Sequence, residues 1–261
     1  MKVLVAVKEV VEIADTFEIA GTKVDERYRE YDLNEWDDYA VEEAVQLREE
    51  GIADEVVSVT IGEERAEETI RIALAKGVDR AIRVWDDALA DRALLDVAAK
   101  TRLLQAVVEK EEPHIVLTGV QAGDDAWGAT GVSLAHAVDF AWAAVVNGLT
   151  VDGDSAHVRR ELEGGLEELV DIELPAVFTV QTGINEPRYA SLRGIRQAQR
   201  KEIALHSLAD LDLDSADIDS KLALIDMFVP ESESDIEYIE GDSPEQAAKL
   251  ADVLREKGVG A

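Results

Sequence analysis

Two stretches of the chain hold residue types spaced so that they can do chemistry. The first is the loop Gly119-Val120-Gln121-Ala122-Gly123-Asp124-Asp125-Ala126-Trp127-Gly128-Ala129-Thr130-Gly131. It follows an apolar run and opens a helical pattern. Its four glycines let backbone approach a ligand closely. Thr130 and the amides of the following helix can hold a phosphate in the field of the helix N-terminus. Asp124 and Asp125 oppose a polyphosphate, so a monophosphate, or the far end of a dinucleotide, is easier to accommodate. The spacing is not G-x-G-x-x-G, so the dinucleotide fingerprint is not supported. On these residues alone, ligand binding and a plain strand-to-helix turn stay equally open.

The second stretch runs from Arg188 to Lys201. It contains five basic residues, Arg188, Arg193, Arg196, Arg200 and Lys201, and no acid. The whole chain has 57 acidic and 26 basic residues, a formal net charge of −31, so a local basic run stands out. Leu192 sits among the arginines. One apolar side chain ringed by charges is the form of a docking hot spot, in which the anchor fills a pocket and the charges steer. The plainer reading is a solvated helix start with some local counter-charge.

Other catalytic constellations are missing. His114, His136, His157 and His206 are scattered, with no metal-ligand spacing among them. There is no cysteine, hence no disulfide, thiolate site or iron–sulfur cluster. No G-x-S-x-G elbow, Walker lysine or H-E-x-x-H occurs. We therefore expect no autonomous catalytic residues and no metal: the chemistry comes from a cofactor or a partner. The acidic surface repels nucleic acid and anionic lipid and suits solubility in high salt or a basic partner. No apolar run approaches the roughly 20 residues of a membrane helix. The N-terminal Met1–Lys8 reads as a buried strand rather than a leader, and a cytoplasmic location fits.

The elements that must position these stretches alternate through the first half. Lys2–Val7 is a strand. Asn34–Glu50 is a helix, with Asn34 as N-cap and Gly51 as its stop. Glu55–Ile61, Arg80–Trp85 and His114–Thr118 are strands, and Glu63–Lys76 and Asp91–Glu111 are helices. Repeated βα units predict an α/β fold, a mostly parallel sheet covered by helices on both faces. Such sheets bind ligands beyond the C-terminal ends of their strands, which gathers Ala6, Asn34–Asp37 and Ile61 near the glycine loop. Thr130–Phe140 is a further helix. The runs at 142–146, 157–162, 166–173 and 176–181 look antiparallel. We place an α/β nucleotide-binding domain at residues 1–206. Residues 207–261 form an extended acidic arm ending in a helix, Pro244–Lys257, with Ser243 as its cap.

Several separate segments, in one order, resemble the small (β) subunit of electron-transfer flavoproteins. They include Val3–Lys8, Ala40-Val41-Glu42-Glu43-Ala44, Glu68–Arg71 with Gly77–Arg80, and Gln121-Ala122 with Asp124 and Thr130-Gly131. More specific are Val158–Glu161 with Gly164–Glu167, Leu174-Pro175-Ala176-Val177 and Asn185-Glu186-Pro187-Arg188-Tyr189-Ala190. The resemblance covers nearly the whole chain.

The resemblance implies a heterodimer with a larger α-subunit that carries most of the redox FAD site. It implies electron flow from flavin dehydrogenases, such as acyl-CoA dehydrogenases, to a membrane quinone oxidoreductase. It also implies a structural AMP in this subunit. By position, the AMP contacts are Ala6, Asn34, Glu35, Trp36, Asp37, Ile61, Gln121, Ala122, Gly123, Asp124, Asp125, Thr130, Gly131 and Val132. The family's docking leucine corresponds to Leu192, flanked by Arg188, Tyr189, Arg193 and Arg196. Glu35-Trp36-Asp37 and Ala126-Trp127-Gly128 depart from the family pattern. One subset places a second FAD in the AMP site and bifurcates electrons, and its Gly-Asp-Thr-Ala-Gln run is not matched by Asp125–Ala129. A stand-alone nucleotide-binding regulator of universal-stress type is the rival from another class. It has no use for residues 159–192 or an acidic arm.

Overall fold

The computed structural model describes residues 1–90, 92, 94–230 and 236–259. The first strand, β1 (Lys2–Ala6), is the apolar run of the N-terminus. Its side chains alternate between two cores: Val3 and Val5 face one, Leu4 the other. An acidic excursion follows, which the sequence pattern left unassigned. It pairs β2 (Glu9–Ile13) with β5 (Arg29–Leu33), and β3 (Ile19–Ala20) with β4 (Lys23–Val24), as two small antiparallel ribbons.

Helix α1 (Glu35–Glu49) leads to β6 (Glu55–Ile61). Helix α2 (Glu67–Lys76), preceded by a short turn of helix, leads to β7 (Arg80–Val84). After the single-turn α3 (Asp87–Ala90) comes α4 (Val97–Glu111), then β8 (Ile115–Gly119) and α5 (Thr130–Ala137). Helix α4 starts later than its periodicity predicts. Asp96 caps it, accepting from the Ala99 amide at 3.0 Å, and a capped N-terminus fixes the start. Asp91, at the expected start, lies outside the described residues. Helix α5 stops at Ala137 rather than Phe140.

The second half contributes β9 (Ala141–Asp152), β10 (Ser155–Leu162), β11 (Leu166–Glu173), β12 (Ala176–Val180), α6 (Leu192–Ala198) and β13 (Ile203–His206). All but the small ribbons join one nine-stranded sheet, ordered β11-β10-β9-β12-β8-β1-β6-β7-β13. β9, β10 and β11 are antiparallel, as their pattern predicts. β12 is not: it lies parallel between β8 and β9. Its residues are buried throughout, which marks a central strand but not its direction.

Helices α1 and α2 cover one face of the sheet, and α4 and α5 cover the other. The second core also contains Leu208, Leu211, Leu213 and Ile218. The compact unit accordingly runs to Met227 rather than closing at residue 206. Asp96 reinforces this by accepting from the Leu222 amide at 3.0 Å. A second unit, Phe228–Ala261, contains α7 (Ser243–Glu256). Its cap is Asp242, which accepts from the Glu245 amide, so Ser243 and Pro244 are the first helical residues. No helix among the described residues is long and apolar enough to cross a membrane.

Candidate functional site

The order of the parallel strands creates a crevice between β1 and β8. From β1 the chain moves to β6 and β7 on one side, then returns by α4 to β8 on the other. Loops leaving β1 and β8 therefore diverge, and an open α/β sheet takes its ligand at such a point. The start of α1 closes the crevice from one face. Asn34 is fully buried. Its side chain does not cap the helix, although it occupies the N-cap position. Instead Asn34 Nδ2 donates to the Gln121 carbonyl at 2.9 Å, and Oδ1 accepts from the Gly123 amide at 3.1 Å. The helix start is thereby stapled to the glycine loop.

Asp37 makes the complementary link to the strands. Its carboxylate accepts from the Lys8 amide at 2.8 Å and the Gly119 amide at 2.9 Å, joining the exits of β1 and β8. Burial pushes its pKa up to about 7, against the two backbone donors that favour the ionised form. Gly119 is required here, because a Cβ would lie 2.5 Å from Asp37 Oδ1 and 2.6 Å from Trp36 Cβ. Trp36 is held by its indole NH donating to Gln181 Oε1 at 3.0 Å. Glu35 is exposed. Ala6 pairs with Val59, two residues before Ile61, so both sit at the same end of the sheet.

Asp124 and Asp125 are not bare acids. Lys8 Nζ pairs with both, at 2.8 Å from Asp125 Oδ2, and Lys100 Nζ of α4 also pairs with Asp125. Two lysines neutralise two aspartates, which removes the expected repulsion of a polyphosphate. Burial pushes Asp125 up, but the two ammonium groups outweigh it and hold the carboxyl below its usual range. Burial lowers the Lys100 ammonium, with Lys8 adding to the effect and Asp125 opposing it.

At the far end of the loop, α5 begins with Ala129 at the N-cap, which offers no side-chain acceptor, and no acid stands in its first turn. Its first amides are left for another acceptor. Gln121, Ala122 and Gly123 lead into the loop, while Thr130, Gly131 and Val132 form the first turn of α5. The close fit of Gly131 under Thr118 and Thr179 seats that turn on β8 and β12. The Trp127 indole NH is buried without a hydrogen-bond partner.

The second predicted site is divided by the structure. Tyr189 is 99% exposed and Leu192 79% exposed. Arg193 and Arg196 are exposed on α6. Leu192 is the first residue of that helix, whose cap Ser191 accepts from the Gly194 amide at 3.0 Å. Arg188 points the other way: its guanidinium pairs with Glu42 at 2.8 Å and Glu49 at 2.6 Å on α1. Lys201 also faces inward, donating to the Leu74 and Val78 carbonyls at the end of α2.

A family model for the electron transfer flavoprotein domain matches residues 21–211. The chain is 46% identical over 264 residues to the electron transfer flavoprotein subunit beta of Methylophilus methylotrophus, covering 98% of each. It is 32% identical to that of Bacillus subtilis, with 98% of each covered, and 38% identical to that of Homo sapiens, over 88% of this chain and 89% of the other. The chain belongs to the electron transfer flavoprotein family, as a β subunit. Matches of this length set aside the universal-stress reading. An electron transfer flavoprotein β subunit is an electron-transfer component, and its class implies an α-subunit partner.

Within this β subunit, sequence reading overlooked Lys8, Lys100, Gln181, Glu42 and Glu49. Lys8 carried a signal, being a lone base directly after the first strand of an acidic chain. The others reach their partners across long sequence separations and carry none.

Proposed function

We propose that this β subunit pairs with an α-subunit to form a carrier that accepts electrons from flavin dehydrogenases, acyl-CoA dehydrogenases among them. The carrier delivers them to a membrane quinone oxidoreductase. FAD, held mostly by the α-subunit, supplies the redox chemistry. The work of the β subunit is binding and placement. The observation that carries this reading is Leu192: an apolar side chain 79% exposed, on a basic segment of a protein with net charge −31. Exposed leucines rimmed by arginine suit a partner with an apolar pocket and an acidic margin. Leu192→Ala tests it. We expect coupling to the dehydrogenase to weaken by about tenfold, as loss of a hot spot does, with heterodimer assembly and flavin content unchanged. Undiminished coupling would sink the anchor assignment.

We further propose that the crevice between β1 and β8 holds AMP as a structural ligand. Three features support the fit: the uncapped first turn of α5 suits a phosphate, the Trp127 indole NH lacks an acceptor, and Asn34 fixes the loop between them. Ala6 and Ile61 would flank the base, and Gln121–Asp125 and Thr130–Val132 the ribose and phosphate. A second FAD in this crevice is the alternative. It is favoured by the neutralised Asp124 and Asp125 and disfavoured by the sequence Asp125–Ala129. The acidic stretch from Phe228, with the apolar stripe Ala247, Leu250, Ala251 and Leu254 on α7, suits packing on the α-subunit.

A further inference from the structure

Residues 185–201 bridge two helices. At one end Asn185 Nδ2 donates to the Tyr39 carbonyl at 3.1 Å and to Glu43 Oε2 at 3.0 Å. Arg188 adds five hydrogen bonds to α1. Its backbone amide, Nε and Nη2 reach Glu42 at 3.0, 2.8 and 3.0 Å, and Nη1 and Nη2 reach Glu49 at 2.6 and 2.8 Å. Glu42 is buried, its side chain 4% exposed, and is itself held by Gln46 at 2.8 Å. At the other end Arg71 of α2 donates to the carbonyls of Ala198 and Lys201. Between them the backbone of Gly194 lies against the Ala75 carbonyl so closely that no Cβ fits. The part left free of both helices is the part that carries Tyr189 and Leu192.

We propose that Arg188 is a positioning residue: clamped by Glu42 and Glu49, it fixes the angle at which Tyr189 and Leu192 meet the dehydrogenase. A planar guanidinium that already serves two carboxylates has its donors committed, so it has little to offer an acidic partner. Arg193, Arg196 and Arg200 remain exposed for steering. The protonation preferences agree with the geometry. Burial pushes Glu42 up, yet Arg188 holds it below its usual range, and Arg188 does the same to Glu49 more directly. The far end of α1 is bonded to the glycine loop through Asn34 and to both strand exits through Asp37. The clamp therefore mounts the docking residues on a helix that is itself tied to the glycine loop and to two strand exits. An anchor ordered in advance does not spend binding free energy on ordering itself.

The proposal rests on the reading of this segment as the docking site, and the test separates the two. The complete heterodimer is prepared with Arg188→Ala, Arg188→Lys, Glu49→Gln, Leu192→Ala or the pair Arg193→Gln, Arg196→Gln. Two readouts are taken: amide hydrogen exchange of the heterodimer, and flavin reduction by a purified acyl-CoA dehydrogenase at low and high ionic strength. Arg188→Ala should speed exchange across 189–196 while leaving 119–132 unchanged. It should raise KM by about tenfold, with kcat within about twofold, by the same factor at both ionic strengths. Arg188→Lys should recover part of this loss, and Glu49→Gln, which spares the buried pair, should show a smaller loss of the same kind. The Arg193, Arg196 pair should lose most at low ionic strength. Unchanged exchange in Arg188→Ala overturns the clamp, and so does a loss that fades with salt like that of the pair. Normal coupling in Leu192→Ala overturns the docking reading instead, whatever the exchange shows.

Discussion

The side-chain oxygen of Asn34 accepts a hydrogen bond from the backbone amide of Gly123, 3.1 Å away and 89 positions later in the chain. Asn34 stands where a helix cap belongs, yet it spends its side chain on the glycine loop. Local helix stability is traded for the shape of the crevice.

Asn34→Ala should therefore act mainly on the loop. It removes the hydrogen bonds to Gln121 and Gly123 at a buried position, a change worth about 1–3 kcal/mol. Chemical denaturation should show that loss, and bound nucleotide should wash out faster than from the unaltered protein. An alanine variant of equal stability and equal nucleotide retention would refute this role.

Asp37 gives a pH signature. Burial raises its pKa in the folded protein to about 7, above the ordinary value of 3.8. The folded state thus keeps a proton that the unfolded state releases. Stability from the protonated group is complete below about pH 4 and is lost as pH rises towards 7, by up to about 1.4 kcal/mol per unit. Asp37→Asn cannot titrate. The stability advantage of the native protein over this variant should fall between pH 4 and 7 and stay level above. A constant difference across that window contradicts the assignment.

Much of the fold was legible because its signals are local. The run Val3–Val7, the stop at Gly51 and the periodicity of α1 and α2 each report on their own neighbours. What escaped depends on partners distant in sequence. β12 is buried throughout, and nothing in Ala176–Val180 records that its neighbours run parallel to it. The basic run looked uniform, yet Arg188 and Lys201 are claimed by acids and carbonyls more than a hundred positions away. The acids Asp124 and Asp125 looked repulsive because the lysines that pair with them come from other elements, Lys8 from 116 positions before Asp124 and Lys100 from 25 before Asp125.

Those lysines should act together. Both bond to Asp125, so removing either leaves the other as its counter-ion. Lys8→Met and Lys100→Met should each destabilise modestly, and the double variant should lose more than the sum, by about 0.5–3 kcal/mol. Denaturation midpoints of the four proteins measure the coupling. Simple additivity would mean that the pairs are independent of one another.

The seat of α5 is a matter of space. A Cβ on Gly131 would lie 2.5 Å from Thr118 Oγ1 and 2.6 Å from Thr179 Cγ2. Gly131→Ala should cost about 1–3 kcal/mol by overpacking. Thr179→Ser removes the methyl but keeps the hydroxyl that accepts from the Val145 amide at 3.1 Å, so it should restore part of that loss. A Thr179→Ser change that restores nothing would place the strain elsewhere.

The most direct measurement is a count of nucleotides. The chain is produced together with its α-subunit, and FAD and AMP released from the pure heterodimer are quantified. One FAD and one AMP per heterodimer is the predicted result. Two FAD with no AMP, or a crevice that retains no nucleotide at all, would contradict the account.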